Sequence, residues 1–173
     1  MENIVLIGYM GCGKSSAASA LSKKSGLDVL DTDDAISAHM GMSISDIFAK
    51  YGEERFRSEE TELLKRLARE GFRGILSAGG GTPLREENRS LLRQLGTVVW
   101  LTAAPDTIAD RLKHDSSRPL LAGAATREEK ISRIRDMLKQ REAAYAAAAT
   151  HRIATDGLDV NGIAEQILGI FPA

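Results

Sequence analysis

Short apolar runs alternate with longer helical patterns along the 173 residues of this chain. The first run, residues 4–7, is apolar at every position, as is typical of a parallel strand that is covered on both faces. Later runs with the apolar or β-branched content of strands lie at residues 29–30, 75–78, 97–101 and 152–154. The pattern therefore predicts five strands.

Helical patterns fill the intervals between these strands. They are predicted over residues 13–24, 33–40, 43–51, 53–70, 85–95, 105–114, 127–149 and 160–170. Strands that alternate with helices favour an α/β fold of three layers, a doubly wound parallel sheet with right-handed crossovers. Ligands bind beyond the carboxyl ends of the strands in such sheets, so we expect the functional residues there.

One segment has no clear period. Residues 115–126 are rich in small residues and contain Gly and Pro, and we interpret them as a loop. No linker or internal repeat divides the chain, so we expect a single domain, residues 1–173.

Composition and charge narrow the class of protein. The chain is 43% hydrophobic and 27% charged, which excludes a disordered protein, and no apolar run is long enough for a membrane helix. Lys and Arg number 23 against 24 Asp and Glu, so there is no bulk positive charge for nucleic acid or anionic lipid. A single cysteine and the lack of a signal-peptide pattern lead us to expect a cytoplasmic protein.

The strongest motif follows the first strand. Residues 8–15, Gly-Tyr-Met-Gly-Cys-Gly-Lys-Ser, fit the pattern G-x-x-x-x-G-K-[ST] between a strand and a helix. Backbone N–H groups of such a loop face a polyphosphate, Lys14 reaches the terminal phosphates, and the Ser15 hydroxyl can bind Mg²⁺. The motif predicts a nucleoside triphosphate site, although a glycine-rich turn that only caps the helix is the alternative.

Two carboxylates follow the second strand. An extended backbone would place Asp31 and Asp33 on the same face, where one can hold a metal ion and the other can orient an alcohol. The alternative is that Thr32 or Asp33 only caps the next helix.

Charged residues also fall within apolar helical stripes. Glu60 lies in one stripe with Arg57 three residues before it, and Arg141 lies in another. Buried charges need partners. In the first interpretation Arg57 and Glu60 form an internal salt bridge, and the long apolar stem of Arg141 carries its charge to the surface. In the second interpretation these residues line a cleft, where Glu60 holds Arg57, and Arg57 and Arg141 bind an anionic group such as a carboxylate.

Three further features belong to loops. Gly79, Gly80 and Gly81 follow a strand and allow a ligand to approach the backbone, although a plain turn is the alternative. Arg118 lies in the irregular segment, where a lid would place it near transferring phosphate, although a solvated loop arginine is equally common. Cys12 lies near a helix N-terminus, which can lower a thiol pKa, but we favour a small filler residue there.

With these motifs in this order, the chain resembles the shikimate kinase family over nearly its whole length. The resemblance implies a phosphate-loop fold with strand order 2-3-1-4-5, a substrate-binding helical region at about residues 32–62 and a lid at about residues 112–126. It also implies transfer of the γ-phosphate of ATP to the 3-hydroxyl of shikimate. A kinase for another small hydroxy acid such as gluconate, a nucleotide kinase, and a catalytically silent nucleotide-binding module are the alternatives.

The resemblance also assigns roles to residues. Asp33, Lys14 and Arg118 are the catalytic candidates. ATP would be bound by Gly11, Cys12, Gly13, Lys14, Ser15, Ser16, Arg111 and Arg118, and Mg²⁺ by Ser15 and Asp31. Shikimate would be bound by Asp33, Arg57, Gly79, Gly80, Gly81 and Arg141, with Glu60 supporting Arg57 and with Phe48, Phe56 and Pro119 as walls. No partner other than this small molecule is expected: no nucleic acid, no membrane, and a monomer.

Overall fold

The computed structural model describes residues 2–113 and 126–171. Most of the predicted lid lies outside this part of the chain, and so do Arg118 and Pro119. Within the described residues no helix has the length and apolar character that a bilayer span requires.

The described residues form five strands, seven α-helices and one short 3₁₀ helix. In chain order they are β1 (Ile4–Ile7), α1 (Lys14–Ser25), β2 (Val29–Asp31), α2 (Thr32–Met40), α3 (Ile44–Glu70), β3 (Ile75–Ser77), the 3₁₀ helix (Thr82–Leu84), α4 (Glu86–Leu95), β4 (Thr97–Thr102), α5 (Pro105–Arg111), α6 (Arg127–Ala148), β5 (His151–Ala154) and α7 (Val160–Leu168).

The five strands form one parallel sheet in the order β2-β3-β1-β4-β5, which confirms the implied topology. Strand β1 is central: Val5 lies opposite Leu76 of β3 and Val98 of β4. All four residues of β1 are fully buried, as the continuous apolar run predicts.

Two apolar clusters cover the two faces of the sheet. Ile4 and Leu6 face the cluster that includes the buried residues of α1 and α7. Val5 and Ile7 face the cluster formed with α3 and α4. Helix α6 contributes to both clusters, with Ile131 and Ile134 in the first and Tyr145 and Ala148 in the second. Arg141 lies between these two contacts along the helix.

The predicted break between helices 43–51 and 53–70 is confirmed, because α3 is kinked at Gly52, whose φ of +82° is not helical. Ser43 caps α3, since its side chain accepts a hydrogen bond from the Asp46 N–H. Helix α5 ends at Arg111 rather than near residue 114, and the 3₁₀ helix that follows the three glycines was not predicted.

Candidate active site

The phosphate loop curls between β1 and α1. Gly11 and Gly13 have φ angles of +78° and +93°, and Gly13 is the N-cap of α1. Gly8 packs so closely on the Leu101 carbonyl that a β-carbon could not fit there. The Lys14 ammonium group donates hydrogen bonds to the carbonyls of Gly8 (2.7 Å) and Tyr9 (3.1 Å), so the lysine lies over the loop that precedes it.

A cavity of about 340 Å³ opens beside this loop. Its walls bring together the predicted nucleotide and metal residues with the end of β3. They include Met10, Gly11, Gly13, Lys14, Ser15, Ser16, Asp31, Asp33, Gly79 and Gly80. The cavity therefore combines a polyphosphate-binding loop with two carboxylates.

The two carboxylates reach this cavity by a different route from the one predicted. Asp33 does not continue an extended strand, because helix α2 already begins at Thr32. Asp31 is the N-cap: its Oδ1 accepts hydrogen bonds from the N–H groups of Asp33 (2.9 Å) and Asp34 (3.3 Å). The capping residue is therefore Asp31, not Thr32 or Asp33, and the turn of the cap brings both carboxylates into one cavity.

The donors in this cavity suit Mg²⁺. The Asp31 cap contacts are made by Oδ1, and Asp31 and Ser15 line the same cavity. Among the described residues there is no cluster of three or more His, Cys, Asp or Glu side chains that could hold a metal alone. Ser15 and Asp31 could hold Mg²⁺, which proteins bind through one or two side chains while phosphates and water supply the other ligands.

A second cavity, of about 460 Å³, adjoins the first. Met10, Asp33, Gly79 and Gly80 line both cavities. The further walls of the second are Ser43, Ile44, Ser45, Phe48, Glu53, Phe56, Arg57, Glu60, Gly81 and Arg141. Within the described part of the chain, the residues predicted to bind an anionic substrate therefore lie around one cavity.

Arg57 and Glu60 form the buried ion pair that the helical stripe predicts. Arg57 Nη1 lies 2.7 Å from Glu60 Oε2, and Arg57 Nη2 lies 3.2 Å from Glu53 Oε1. The Glu60 residue is only 1% exposed. Burial opposes the charge on Arg57, but the attraction and hydrogen bonds of Glu60 and Glu53 outweigh it, so the pKa of Arg57 is raised. The arginine is therefore a fixed cation.

The three glycines allow these charged groups to crowd together. A β-carbon on Gly79 would lie 2.7 Å from Asp33 Oδ1 and 3.0 Å from Glu60 Oε1. At Gly81 it would overlap the Arg57 guanidinium group, and at Gly80 it would lie 3.4 Å from Arg141 Nη1. Close approach rather than an unusual backbone angle therefore favours glycine at positions 79 and 81, whereas a β-carbon at position 80 would make ordinary contacts.

Arg141 is held by two tyrosines. Its guanidinium carbon lies 5.7 Å from the centre of the buried Tyr9 ring. Tyr145, one turn later on α6, donates a hydrogen bond of 2.7 Å to the Gly80 carbonyl. Burial raises the pKa of Tyr145 to about 12, although Arg141 acts in the opposite direction, so this hydroxyl remains a donor at neutral pH. The tyrosine joins α6 to the glycine segment.

Phe48 and Phe56 supply an apolar wall, as expected. Their ring centres are 4.9 Å apart, and both line the second cavity. The wall lies on α3, on either side of the kink at Gly52.

Arg111 joins the phosphate loop to the segment after β5. Its Nη1 donates hydrogen bonds of 3.0 Å to the Gly11 carbonyl and to Thr155 Oγ1, and its Nη2 donates to the Thr155 carbonyl. Thr155 is fully buried, and its hydroxyl oxygen lies 3.0 Å from the Thr102 carbonyl, to which it donates its one proton, and 3.3 Å from the Cys12 carbonyl. Arg111 thus lies beside the phosphate loop, and its contact with a nucleotide stays a prediction.

Cys12 fills space rather than presenting a reactive thiol. It is 1% exposed and belongs to the apolar cluster beneath α1. Burial raises the pKa of the Cys12 thiol, although Lys14 and Arg111 act in the opposite direction. The position near a helix N-terminus therefore does not lower the pKa of this thiol, and its burial supports the favoured interpretation of Cys12 as a small filler residue.

The roles of four further residues in the site were not predicted from the sequence. Thr32 Oγ1 accepts a hydrogen bond from the Gly79 N–H, and Thr82 Oγ1 donates one of 2.5 Å to Glu60 Oε1. Thr155 supports Arg111, and Tyr145 supports Gly80. Only Tyr145 carried a signal, since it lies four residues after Arg141 in the same stripe. The threonines form hydrogen bonds between segments that are distant in sequence, and no local sequence pattern predicts such bonds.

Comparison with known proteins agrees with this geometry. The family model described as "Shikimate kinase" matches residues 10–171. The shikimate kinase of Thermodesulfovibrio yellowstonii is 41% identical over 168 residues, which cover 97% of this chain and 94% of that protein. The shikimate kinase of Geobacter sulfurreducens is also 41% identical, over 96% of this chain and 88% of the relative.

Solved structures give the same result. The shikimate kinase from Acinetobacter baumannii in complex with shikimate superposes with a TM-score of 0.89 at 34% identity, covering 98% of this chain and 92% of that one. The shikimate kinase from Aquifex aeolicus superposes with a TM-score of 0.78 at 29% identity, covering 97% and 95%. Fold, motifs and full-length similarity agree, and the chain therefore belongs to the shikimate kinase family.

Proposed function

We propose that this chain transfers the γ-phosphate of ATP to the 3-hydroxyl of shikimate. One observation carries the proposal: Asp33 lies on the wall shared by two cavities, one lined by the phosphate loop and the other by Arg57 and Arg141. A carboxylate at that boundary can contact an acceptor hydroxyl while the donor phosphate lies next to it. The family membership supports ATP as the donor.

The first cavity binds the triphosphate. Loop N–H groups, the N-terminus of α1 and Lys14 attract the phosphates. In this proposal Gly11, Cys12, Gly13 and Ser16 contribute through the loop and the first turn of α1, and Arg111 lies against the adenosine end. Ser15 and Asp31 hold Mg²⁺, which supplies positive charge to the phosphate oxygens.

The second cavity binds shikimate. The carboxylate of shikimate pairs with the guanidinium groups of Arg57 and Arg141, since a guanidinium group can donate two parallel hydrogen bonds to a carboxylate. Gly79, Gly80 and Gly81 line the floor, and Phe48 and Phe56 pack against the ring. Glu60 keeps Arg57 in place without contacting the substrate.

Catalysis in this arrangement depends on position and charge. The 3-hydroxyl oxygen forms a bond to the γ-phosphorus as the bond to the β-phosphate oxygen breaks, and ADP leaves. Asp33 accepts a hydrogen bond from that hydroxyl and takes its proton. Lys14 stabilises the charge on the phosphate oxygens, and few covalent steps are needed because the transition state is loose.

We propose roles in this reaction for two more residues, on the basis of the sequence. Arg118 and Pro119 would belong to a lid at about residues 112–126, where Arg118 would meet the transferred phosphate and Pro119 would complete the apolar wall. We further propose a single kinase domain that acts as a monomer in the cytoplasm, with residues 32–62 as its substrate-binding helical region and with no nucleic-acid or membrane partner.

An acceptor panel tests the proposed function. ADP release with ATP and Mg²⁺ is measured with shikimate, quinate, gluconate and nucleoside monophosphates as acceptors. We expect release with shikimate to exceed that with each other acceptor by about 100-fold or more, because the paired arginines and Asp33 recognise a carboxylate and a hydroxyl at fixed positions on one ring. Release only with a nucleotide, or only at the rate seen without an acceptor, would refute the proposal.

A further inference from the structure

A chain of buried polar side chains extends from Arg57 through Glu60 to the 3₁₀ helix and α4. It begins at Glu60, whose Oε2 accepts from Arg57 and whose Oε1 accepts from Thr82 Oγ1 at 2.5 Å. It continues to Asn88, whose Nδ2 donates to the Thr82 carbonyl at 2.9 Å, and to Thr61, which donates to Asn88 Oδ1 at 2.8 Å.

This polar chain is unusually well shielded. Exposure is 1% for Glu60, 4% for Thr61, and zero for Thr82 and Asn88. A hydrogen bond in such surroundings is stronger than in water, and leaving one of its groups without a partner carries a large cost. The side chains therefore fix one another in a single arrangement.

The arrangement fixes the carboxylate of Glu60 in particular. Each of its two oxygens has its own donor, Arg57 on one side and Thr82 on the other. A carboxylate held at one oxygen alone can rotate about its last bond, and the arginine bound to it can then move. The second donor removes that freedom.

Resting on the proposed function, we propose that Thr82 and Asn88 are positioning residues for the substrate carboxylate. Thr82 holds Glu60, Glu60 holds Arg57, and Asn88 holds the backbone of Thr82 from helix α4. None of these groups other than Arg57 contacts the substrate. The 3₁₀ helix and α4 thus act on the affinity for shikimate from behind the site.

The test compares Thr82→Ala with Thr82→Ser. Alanine removes the hydroxyl without placing a methyl group against Glu60, and serine retains it. We expect Thr82→Ala to raise the KM for shikimate about tenfold while kcat and the KM for ATP change by less than about twofold. Thr82→Ser should restore the KM for shikimate to within about threefold of the original chain.

A matched control removes a hydroxyl at the other end of the sheet. Thr150 Oγ1 donates to the Val98 carbonyl near the start of β4, so Thr150→Ala should leave both KM values unchanged. Thermal unfolding of every variant is measured alongside. A Thr82→Ala protein with lower stability but an unchanged KM for shikimate would overturn the proposal, as would equal rises in both KM values.

A second variant covers the case in which Thr82→Ala does not fold. Thr61→Val removes the donor to Asn88 while keeping the shape of the side chain, and a several-fold rise in the KM for shikimate is expected. An unchanged KM in that variant would overturn the proposal. The original chain is assayed first: if it fails to phosphorylate shikimate, the proposed function itself is refuted.

Discussion

Arg57 lies directly against Gly81, with its guanidinium group in the space that a β-carbon at position 81 would fill. The arginine cannot easily move away, because Glu60 and Glu53 hold two of its nitrogens. The backbone after β3 and the proposed carboxylate-binding arginine therefore fit together only when residue 81 is glycine.

Gly81→Ala should consequently weaken the use of shikimate. Displacement of the guanidinium group by about 1 Å is expected to lower kcat/KM for shikimate by about 100-fold, with a smaller effect on the KM for ATP. Steady-state kinetics with each substrate varied in turn measures both values. Gly169→Ala is the control, since Gly169 has a helical φ of −63° and only ordinary contacts. An unchanged kcat/KM in Gly81→Ala would contradict the positioning of Arg57 described here.

Asp33→Asn tests the proposed acceptor of the hydroxyl proton. The amide retains the shape of the carboxylate but cannot take a proton, so kcat should fall by about 10²- to 10⁴-fold. Nucleotide binding, measured by calorimetry, should change little. Asp28→Asn, at an exposed aspartate directly before β2 and so at the opposite end of that strand from Asp31, should change kcat by less than about threefold. Near-normal turnover in Asp33→Asn would exclude Asp33 as the base.

Cys12 should react slowly with alkylating reagents in the folded chain. Its raised pKa leaves less thiolate at pH 8 than an ordinary thiol has, and the side chain is buried. We expect iodoacetamide to modify the folded protein at least about tenfold more slowly than the protein in denaturant, as followed by mass spectrometry. Equal rates in the two states would show that the thiol is accessible.

Arg118→Ala tests the lid, on grounds of sequence alone. Removal of a guanidinium group from the transferred phosphate should lower kcat by on the order of 10³-fold. Circular dichroism and thermal unfolding should match those of the original chain. Turnover close to normal would remove Arg118 from the catalytic set.

Most elements of the fold could be predicted from the sequence because each is indicated by a pattern within a short segment. The apolar run of β1 predicts a strand that is buried on both faces, and the glycine motif after it has its usual place between strand and helix. Gly52 was correctly expected to interrupt the helical pattern, since its φ of +82° is one that other residues avoid. The strand order came from the resemblance, because pairing between distant strands leaves no local pattern.

The charged residues of the candidate site were predicted from the sequence, but the uncharged residues that hold them in place were not. Arg57, Glu60 and Arg141 are conspicuous because charges are rare in apolar stripes. Thr82 and Asn88 give no such signal, since a buried threonine or asparagine is recognised only when its partner is known. Asp33 was correctly expected in the cavity for a wrong reason: the helix begins at Thr32, and the Asp31 cap, not an extended strand, turns the carboxylate inward.

The central claim is that one small acid is bound with its carboxylate at Arg57 and Arg141 and a ring hydroxyl at Asp33. A crystal structure of the chain with shikimate tests it most directly. The account predicts carboxylate oxygens within about 3.2 Å of both guanidinium groups and one hydroxyl at a similar distance from the Asp33 carboxylate. Shikimate bound elsewhere, or with its carboxylate turned toward Lys14, would contradict the account.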